Sequence, residues 1–237
     1  GLNQDNLDCY FLKTIDSTNA FAKKLPLKKP LLVVLAEEQT AGKGRHGKKW
    51  DSPESGNIYL SIKYQINSPR SPLSLLVGLL ITEALDEASG QNINAKLKWP
   101  NDVLLNKKKI CGILIESEMI EEKMECTIGI GVNYSIPKTE SWWGDLAELK
   151  DVLPREKLIN TILKKIITYK DKDYLNWQEQ WQSRCMHQNI EISILTNQQK
   201  EMNGIFRGVD NEGKMLLETS NGIQAISSGE CSIKGLY

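Results

Sequence analysis

The sequence is poor in the residues that disulfide, metal and membrane chemistry require. Its five cysteines (Cys9, Cys111, Cys126, Cys185 and Cys231) are odd in number and scattered, with no Cys-x-x-Cys spacing. That pattern argues against a disulfide framework and predicts free thiols in a reducing compartment. Only two histidines occur, His46 and His187, and neither belongs to a His-Glu-x-x-His motif or a Cys/His cluster, so no zinc site is expected. The Gly-x-Ser-x-Gly elbow of serine hydrolases is missing as well. Formal net charge is zero, whereas a dedicated nucleic-acid binder carries a basic excess. The longest apolar run, Leu73–Leu85, is broken by Ser74, Gly78, Thr82 and Glu83 and is too short and polar to span a bilayer. No signal-peptide pattern opens the chain. The expectation is a cytoplasmic globular protein with neither a membrane nor a nucleic-acid partner. A length of 237 residues suffices for one large domain and a small one.

What is present reads first as strands. Cys9–Leu12, Leu31–Ala36 and Asn57–Tyr64 are short apolar or β-branched runs, and Asp16–Asn19 supplies N-cap residues for a helix "AFAKKL". Leu73, Leu76, Val77, Leu80, Ala84 and Ala88 recur at helical spacing within Ser71–Gly90, which Gly90 can stop. Ala95–Trp99, Asp102–Leu105, Lys109–Ser117 and Glu125–Ser135 read as further strands, with Asn106–Lys109 as a turn. A helix is expected from about Pro154 to Lys170, and Tyr174, Trp177 and Trp181 are expected on one face of another. From about Gln188 the texture changes to short strands broken by Asn/Gly turns such as "DNEG" and "SNG". The division expected is a domain over 1–187, a mixed sheet backed by helices, and a separate small β-barrel over 188–237. The fold class is thus α+β.

Two stretches carry chemistry. "GKGRHGKKW" (Gly42–Trp50) fits Gly-x-Gly-x-x-Gly and most of a nucleotide phosphate loop. Both readings require a helix directly after the glycines. Here "DSPESGN" follows, which is loop and then strand, and Lys49 stands where Mg2+ needs a hydroxyl. Three glycines in six residues still let backbone N–H groups approach an anion closely. The second stretch, "KWPND" (Lys98–Asp102), breaks a strand at Pro100 and leaves Asn101 and Asp102 at an edge, where they can face a ligand. Lys109 opens the following strand, and Gly112 leaves room beside it.

"STN" (Ser17–Asn19), "EEQTAGKGRHGKKWDSPESGNIYLSI" (Glu37–Ile62), "KWPND", "KKICGILIE" (Lys108–Glu116) and "GIGVN" (Gly129–Asn133), in this order, resemble a biotin protein ligase over nearly the whole chain. The resemblance implies a class II synthetase-like catalytic domain with an SH3-like C-terminal domain. It also implies a two-step reaction: biotin and ATP give biotinyl-5′-AMP, and a lysine of a biotin carboxyl carrier protein then takes the biotin. Residue by residue, it implies that Ser17, Thr18, Asn19, Gln39, Lys43, Gly44, Arg45, Lys109 and Gly112 hold biotin. Gly42, Arg45, Lys48, Trp50, Asn101, Asn133 and Trp143 would hold ATP or the adenylate, with Trp142 competing for the adenine. Lys109 and Arg45 would be catalytic. Mg2+ is expected with ATP, its ligands unassigned, and a homodimer is left open. The family loop is commonly Gly-Arg-Gly-Arg-x-Gly; here Lys43 replaces the first arginine, giving charge without a bidentate fork. Ser17 lies so near the start that a preceding DNA-binding domain is not expected, which implies a monofunctional ligase. The competing readings are a lipoate-type ligase and a non-enzymatic nucleic-acid module.

Overall fold

The computed structural model of the chain describes residues 4–66, 72–136, 142–170, 174–196 and 201–233. Ser71, the expected helix start, lies outside them, as do the terminal residues from Lys234 onward.

Seven strands form one mixed sheet: β1 (Leu7–Ile15), β2 (Leu31–Gln39), β3 (Ile58–Ile66), β4 (Lys96–Lys98), β5 (Asp102–Leu105), β6 (Lys108–Ile120) and β7 (Lys123–Val132), in the order β1-β2-β3-β7-β6-β5-β4. Only β1 and β2 pair in parallel. The crossover between them is α1 (Thr18–Lys24). This explains the unbroken apolar run of β2, because both of its faces are covered. Leu31, Val33 and Leu35 enter the main core, while Leu32 and Val34 join Ala22 of α1 in a small separate cluster. On β3 the division is sharper: Ile58, Leu60, Ile62 and Tyr64 face the main core, and the alternate positions include Ser61 and Lys63.

The main core lies under α2 (Leu73–Ser89) and α3 (Arg155–Tyr169). Gly90 ends α2 at φ 74°, the left-handed C-cap its glycine allows. Pro154 sits one residue before α3, as its N-cap. The fourth expected helix, the aromatic one, is shorter than its pattern. Asn176 adopts a left-handed conformation and starts α4 (Trp177–Arg184), so Tyr174 lies outside the helix while Trp177 and Trp181 share a face.

The C-terminal strands are β8 (Glu191–Thr196), β9 (Glu201–Val209), β10 (Met215–Thr219), β11 (Gly222–Ile226) and β12 (Gly229–Ile233). They form an antiparallel sheet in the order β11-β10-β9-β8-β12. Among the described residues its edges do not pair, so the small β-domain is an open form of the barrel expected. It packs on the first domain through Trp181, His187 and Phe206, with the His187 and Phe206 rings 4.2 Å apart.

Candidate active site

Four neutral side chains form a shelf at the α1 N-terminus. Ser17 is the N-cap, its Oγ accepting from Ala20 N at 3.4 Å. Thr18 donates from its backbone N (2.8 Å) and Oγ1 (3.0 Å) to Gln39 Oε1, and Gln39 Nε2 donates to Ser52 Oγ at 2.9 Å. Asn19 is held from both ends: Nδ2 donates to Glu116 Oε2 at 2.9 Å, and Oδ1 accepts from Ser61 Oγ at 2.6 Å. A Cβ on Gly129 would lie 2.5 Å from Asn19 Oδ1, so that glycine is the seat of the amide. Ser61 and Glu116 escaped the sequence reading. Ser61 is hidden in an alternating strand, and Glu116 reads as an ordinary strand-end charge. Burial alone would raise the Glu116 carboxyl pKa, but hydrogen bonds from Asn19 and Lys23 outweigh it and hold it below the usual range.

Further along β6 and β7 the floor is made of glycine. Gly112 and Gly131 are cross-strand partners, and the Trp50 indole lies on both. A Cβ at Gly131 would stand 2.5 Å from Trp50 Nε1, and one at Gly112 would stand 2.9 Å from Cζ3. Among the described residues, the buried Trp50 Nε1 has no hydrogen-bond acceptor. An unmade bond of that kind costs about 1–3 kcal/mol.

Lys109 stands beyond the indole, its Nζ 5.2 Å from the ring centroid and 2.6 Å from Asp102 Oδ1. Three positions separate Lys109 from Gly112, which in a regular strand would put them on opposite faces. A bulge resolves this. The β5–β6 register shifts between Val103 and Leu104, so that Ile110 and Cys111 are both buried and Lys109 returns to the Gly112 side. Asp102 also faces Lys98, its cross-strand partner, whose pKa burial lowers and Asp102 partly restores. Burial likewise lowers the Arg45 pKa, opposed by Asp102 and Glu230. One carboxylate thus serves several cations, which leaves the region a net attractor of anions.

The glycine-rich loop folds back on itself: Gly44 N donates to Lys48 O at 2.7 Å and Trp50 N to Gly42 O at 2.9 Å. No helix N-terminus follows it. A single 3-10 turn at Arg45–Gly47 precedes extended chain, as the residues after the glycines predict. The loop is fastened to the C-terminal domain. Arg45 donates to Ser228 Oγ and Gly229 O, both at 3.3 Å, and Lys48 Nζ lies 2.7 Å from Glu230 Oε2.

Asn101 and Asn133 stand on the wall, but their Nδ2 groups are spent on main chain. Asn101 donates to Ile113 O at 2.7 Å, and Asn133 donates to Gly144 O at 3.0 Å and Lys109 O at 3.3 Å. Asn133 thereby brings Trp143 beside Lys109, a pairing completed by Gly144 N donating to Lys109 O at 2.9 Å. Trp142 and Trp143 meet edge to face at 5.6 Å.

All of this encloses one cleft of about 880 Å3, and every expected site residue lines it except Gly42. Gly42 is buried behind the loop, where a Cβ would collide with Trp50 O and come within 2.6 Å of Ser52 Oγ. It shapes the loop from behind. Among the described residues no three His, Cys, Asp or Glu side chains cluster to hold a metal ion, and no helix is long and apolar enough to cross a membrane.

Residues 11–133 match the model of the biotin/lipoate A/B protein ligase family. The chain belongs to that family. Residues 187–234 of this ligase-family chain also match the biotin protein ligase C-terminal domain. It is 30% identical over 249 residues to the biotin--[acetyl-CoA-carboxylase] ligase of Paracoccus denitrificans, covering 94% of this chain and all of that one. It is 29% identical over 237 residues to the bifunctional ligase/repressor BirA of Escherichia coli (strain K12), of which it spans 73%. Among solved structures, the biotin protein ligase from Aquifex aeolicus in complex with biotin and ATP superposes with a TM-score of 0.78. That pair is 28% identical, with 95% of this chain and 97% of the other covered.

Proposed function

We propose that this chain is a biotin protein ligase that activates biotin with ATP and transfers it to a lysine of a biotin carboxyl carrier protein. One observation carries the reading: a neutral shelf, a dry aromatic slot and a cationic end follow one another along β6 in a single cleft. Leu114 O meets Asn19, Gly112 meets Trp50, and Lys109 lies past them. With Ile110 taken up by the bulge, the span from Leu114 to Lys109 is about 13 Å, four residues at about 3.3 Å each. Biotin has the matching order: a ureido ring, an apolar tail and a carboxylate.

The ureido group needs a few placed donors and acceptors, which Ser17, Thr18, Asn19 and Gln39 offer. Lys43 and Gly44 close over that end from the loop. The tail lies against Trp50 and the two glycines. The carboxylate then meets Lys109. A biotin carboxylate oxygen attacks the α-phosphorus of ATP, the bond to the β-phosphate oxygen breaks, and pyrophosphate leaves. Two anions must approach for this, and Lys109 with Arg45 offsets their repulsion. Lys48 extends the cationic rim toward the phosphates. In the second step the acceptor amine attacks the acyl carbon, an amide forms, AMP leaves and the amine loses a proton. Trp143, brought beside Lys109 by Asn133, suits the adenine, with Trp142 buttressing it edge-on. Asn101 and Asn133 act by holding the wall in place. Mg2+ would travel with the ATP phosphates, since such ions keep most of their waters and take few protein ligands.

The division proposed is a catalytic part over 1–187 and a C-terminal part over 188–237 whose β12 fastens the loop. The reading is cytoplasmic, needs no nucleic acid, and leaves a homodimer compatible with a cleft built from one chain. Pyrophosphate exchange into ATP, measured with biotin and with lipoate, tests it. Exchange with biotin, followed by biotin incorporation at one lysine of an isolated carrier domain, is expected. Exchange with lipoate alone, or with neither acid, refutes it.

A further inference from the structure

The sheet face under α1 contains a buried ion pair that no step above uses. Lys63 on β3 and Glu125 on β7 are 3% and 8% exposed, with Nζ 2.7 Å from Oε2. Lys63 Nζ also donates to the main-chain oxygens of Lys23 at 3.3 Å and Leu25 at 3.0 Å. Lys23 is in the last turn of α1 and Leu25 is its C-cap. The last carbonyls of a helix lack partners within it and form the negative end of its dipole, so an ammonium there answers both needs.

α1 has only seven residues. Isolated helices shorter than about 12–15 residues are marginal, so its place depends on what grips it. Its apolar support is one small cluster around Ala22, Leu32 and Val34. The remaining grip is polar: Gln39 on β2 holds Thr18, Glu116 on β6 holds Asn19 and Lys23, and β3 reaches both ends of the helix. Ser61 reaches Thr18 Oγ1 at 2.8 Å and Asn19 Oδ1 at 2.6 Å. Two residues on, along the same face, Lys63 reaches the other end of the helix. Stability alone gives little reason for the pair, because replacing a buried ion pair by apolar groups is often neutral or stabilising.

We propose that Lys63 and Glu125 are positioning residues for biotin. The pair sets where α1 lies along and above the sheet, and so places the shelf of Ser17, Thr18 and Asn19. Glu125 aims the Lys63 side chain, and Lys63 holds the helix end. The inference rests on the biotin reading of the cleft.

The test compares wild type with K63M/E125M, K63R and E125Q by thermal unfolding and by KM values in biotin-dependent pyrophosphate exchange. The double substitution leaves no orphaned charge and should melt near wild type, while losing the donor to the α1 carbonyls. Its biotin KM should rise about tenfold, the lower end of what a charged hydrogen bond supplies, with ATP KM unchanged. K63R should restore most of the biotin KM. E125Q, which leaves Lys63 in place but loosens its aim, should fall between, and it reads the same effect if the double variant fails to fold. An unchanged biotin KM, biotin and ATP KM rising together, or K63R no better than the double variant overturns the role of the pair. A wild type without biotin-dependent exchange overturns the reading of the cleft and this inference with it.

Discussion

Gly131→Ala tests the floor of the cleft. The added Cβ would lie 2.5 Å from Trp50 Nε1, 2.6 Å from Cε2 and 2.8 Å from Cζ2, three contacts closer than carbon tolerates. Neither side can retreat easily. Gly131 is paired in the middle of the sheet, between β3 and β6. Trp50 N is bonded to Gly42 O, and Gly42 has no space behind it. The indole must therefore swing off the floor. Overpacking of this kind costs about 1–3 kcal/mol, and the lost contact with Lys109 adds about 0.5–1 kcal/mol. The sum, about 1.5–4 kcal/mol, is the cost of restoring the indole to the floor, so the loss of biotin affinity is at most roughly ten- to several-hundredfold. The assay is a cycle of Gly131→Ala, Trp50→Ala and the double variant, read by the biotin KM of pyrophosphate exchange with unfolding temperatures alongside. If the indole is what the methyl strikes, Gly131→Ala should cost almost nothing once Trp50 is truncated. An equal cost in both backgrounds, or none in wild type, refutes the argument.

Lys109→Ala should slow adenylate formation far more than it weakens biotin binding; near-normal single-turnover adenylation would remove Lys109 from the chemistry. Trp143→Ala should weaken ATP binding by about 1–3 kcal/mol, the range for stacking on a base, and leave biotin binding alone; equal loss of both ligands would count against Trp143 as the adenine cover. Arg45→Gly should release biotinyl-AMP about ten- to a hundredfold faster, as the loss of a charged hydrogen bond implies. Biotin labelling of an unrelated protein should therefore rise, and adenylate made without such labelling would show another latch. Burial pushes the His187 imidazole down to about 3 from 6.5, with Lys98 adding to the shift. Between those values the unfolded chain binds the extra proton, so this contribution is complete above pH 6.5 and falls by about 1.4 kcal/mol per pH unit below it. His187→Gln should flatten the acid side of the stability profile, and an unchanged slope would be decisive against this assignment.

Strands and the long helices were legible because each is written locally, whereas the expected site residues came from the resemblance carried by motifs in order. Apolar runs, N-caps and glycine spacing depend on neighbours in sequence. What was not legible depends on pairing. The bulge at Ile110 became visible only once β5 set the register, although two adjacent apolar residues in "KKICG" were its trace. Ser61, Glu116, Lys63 and Glu125 act 38 to 97 positions from what they hold, and no local pattern separates them from ordinary strand residues. Asn101 and Asn133 line the cleft, yet their amide donors serve the main chain, which only the folded geometry reveals.

The shared packing of Trp181, His187 and Phe206 has a consequence for the timing of synthesis. One apolar cluster runs from Leu31 on β2 through Trp181 to Phe206, Leu217 and Cys231. Chains emerge from the ribosome N-terminus first, so the sheet that carries the shelf and the floor is exposed before the strands that finish its core have been made. The loop's anchor, Ser228 to Glu230, arrives among the last of them. A nascent chain stalled before β12 would therefore have most of the residues that line the cleft but an unfinished interior and an unfastened loop.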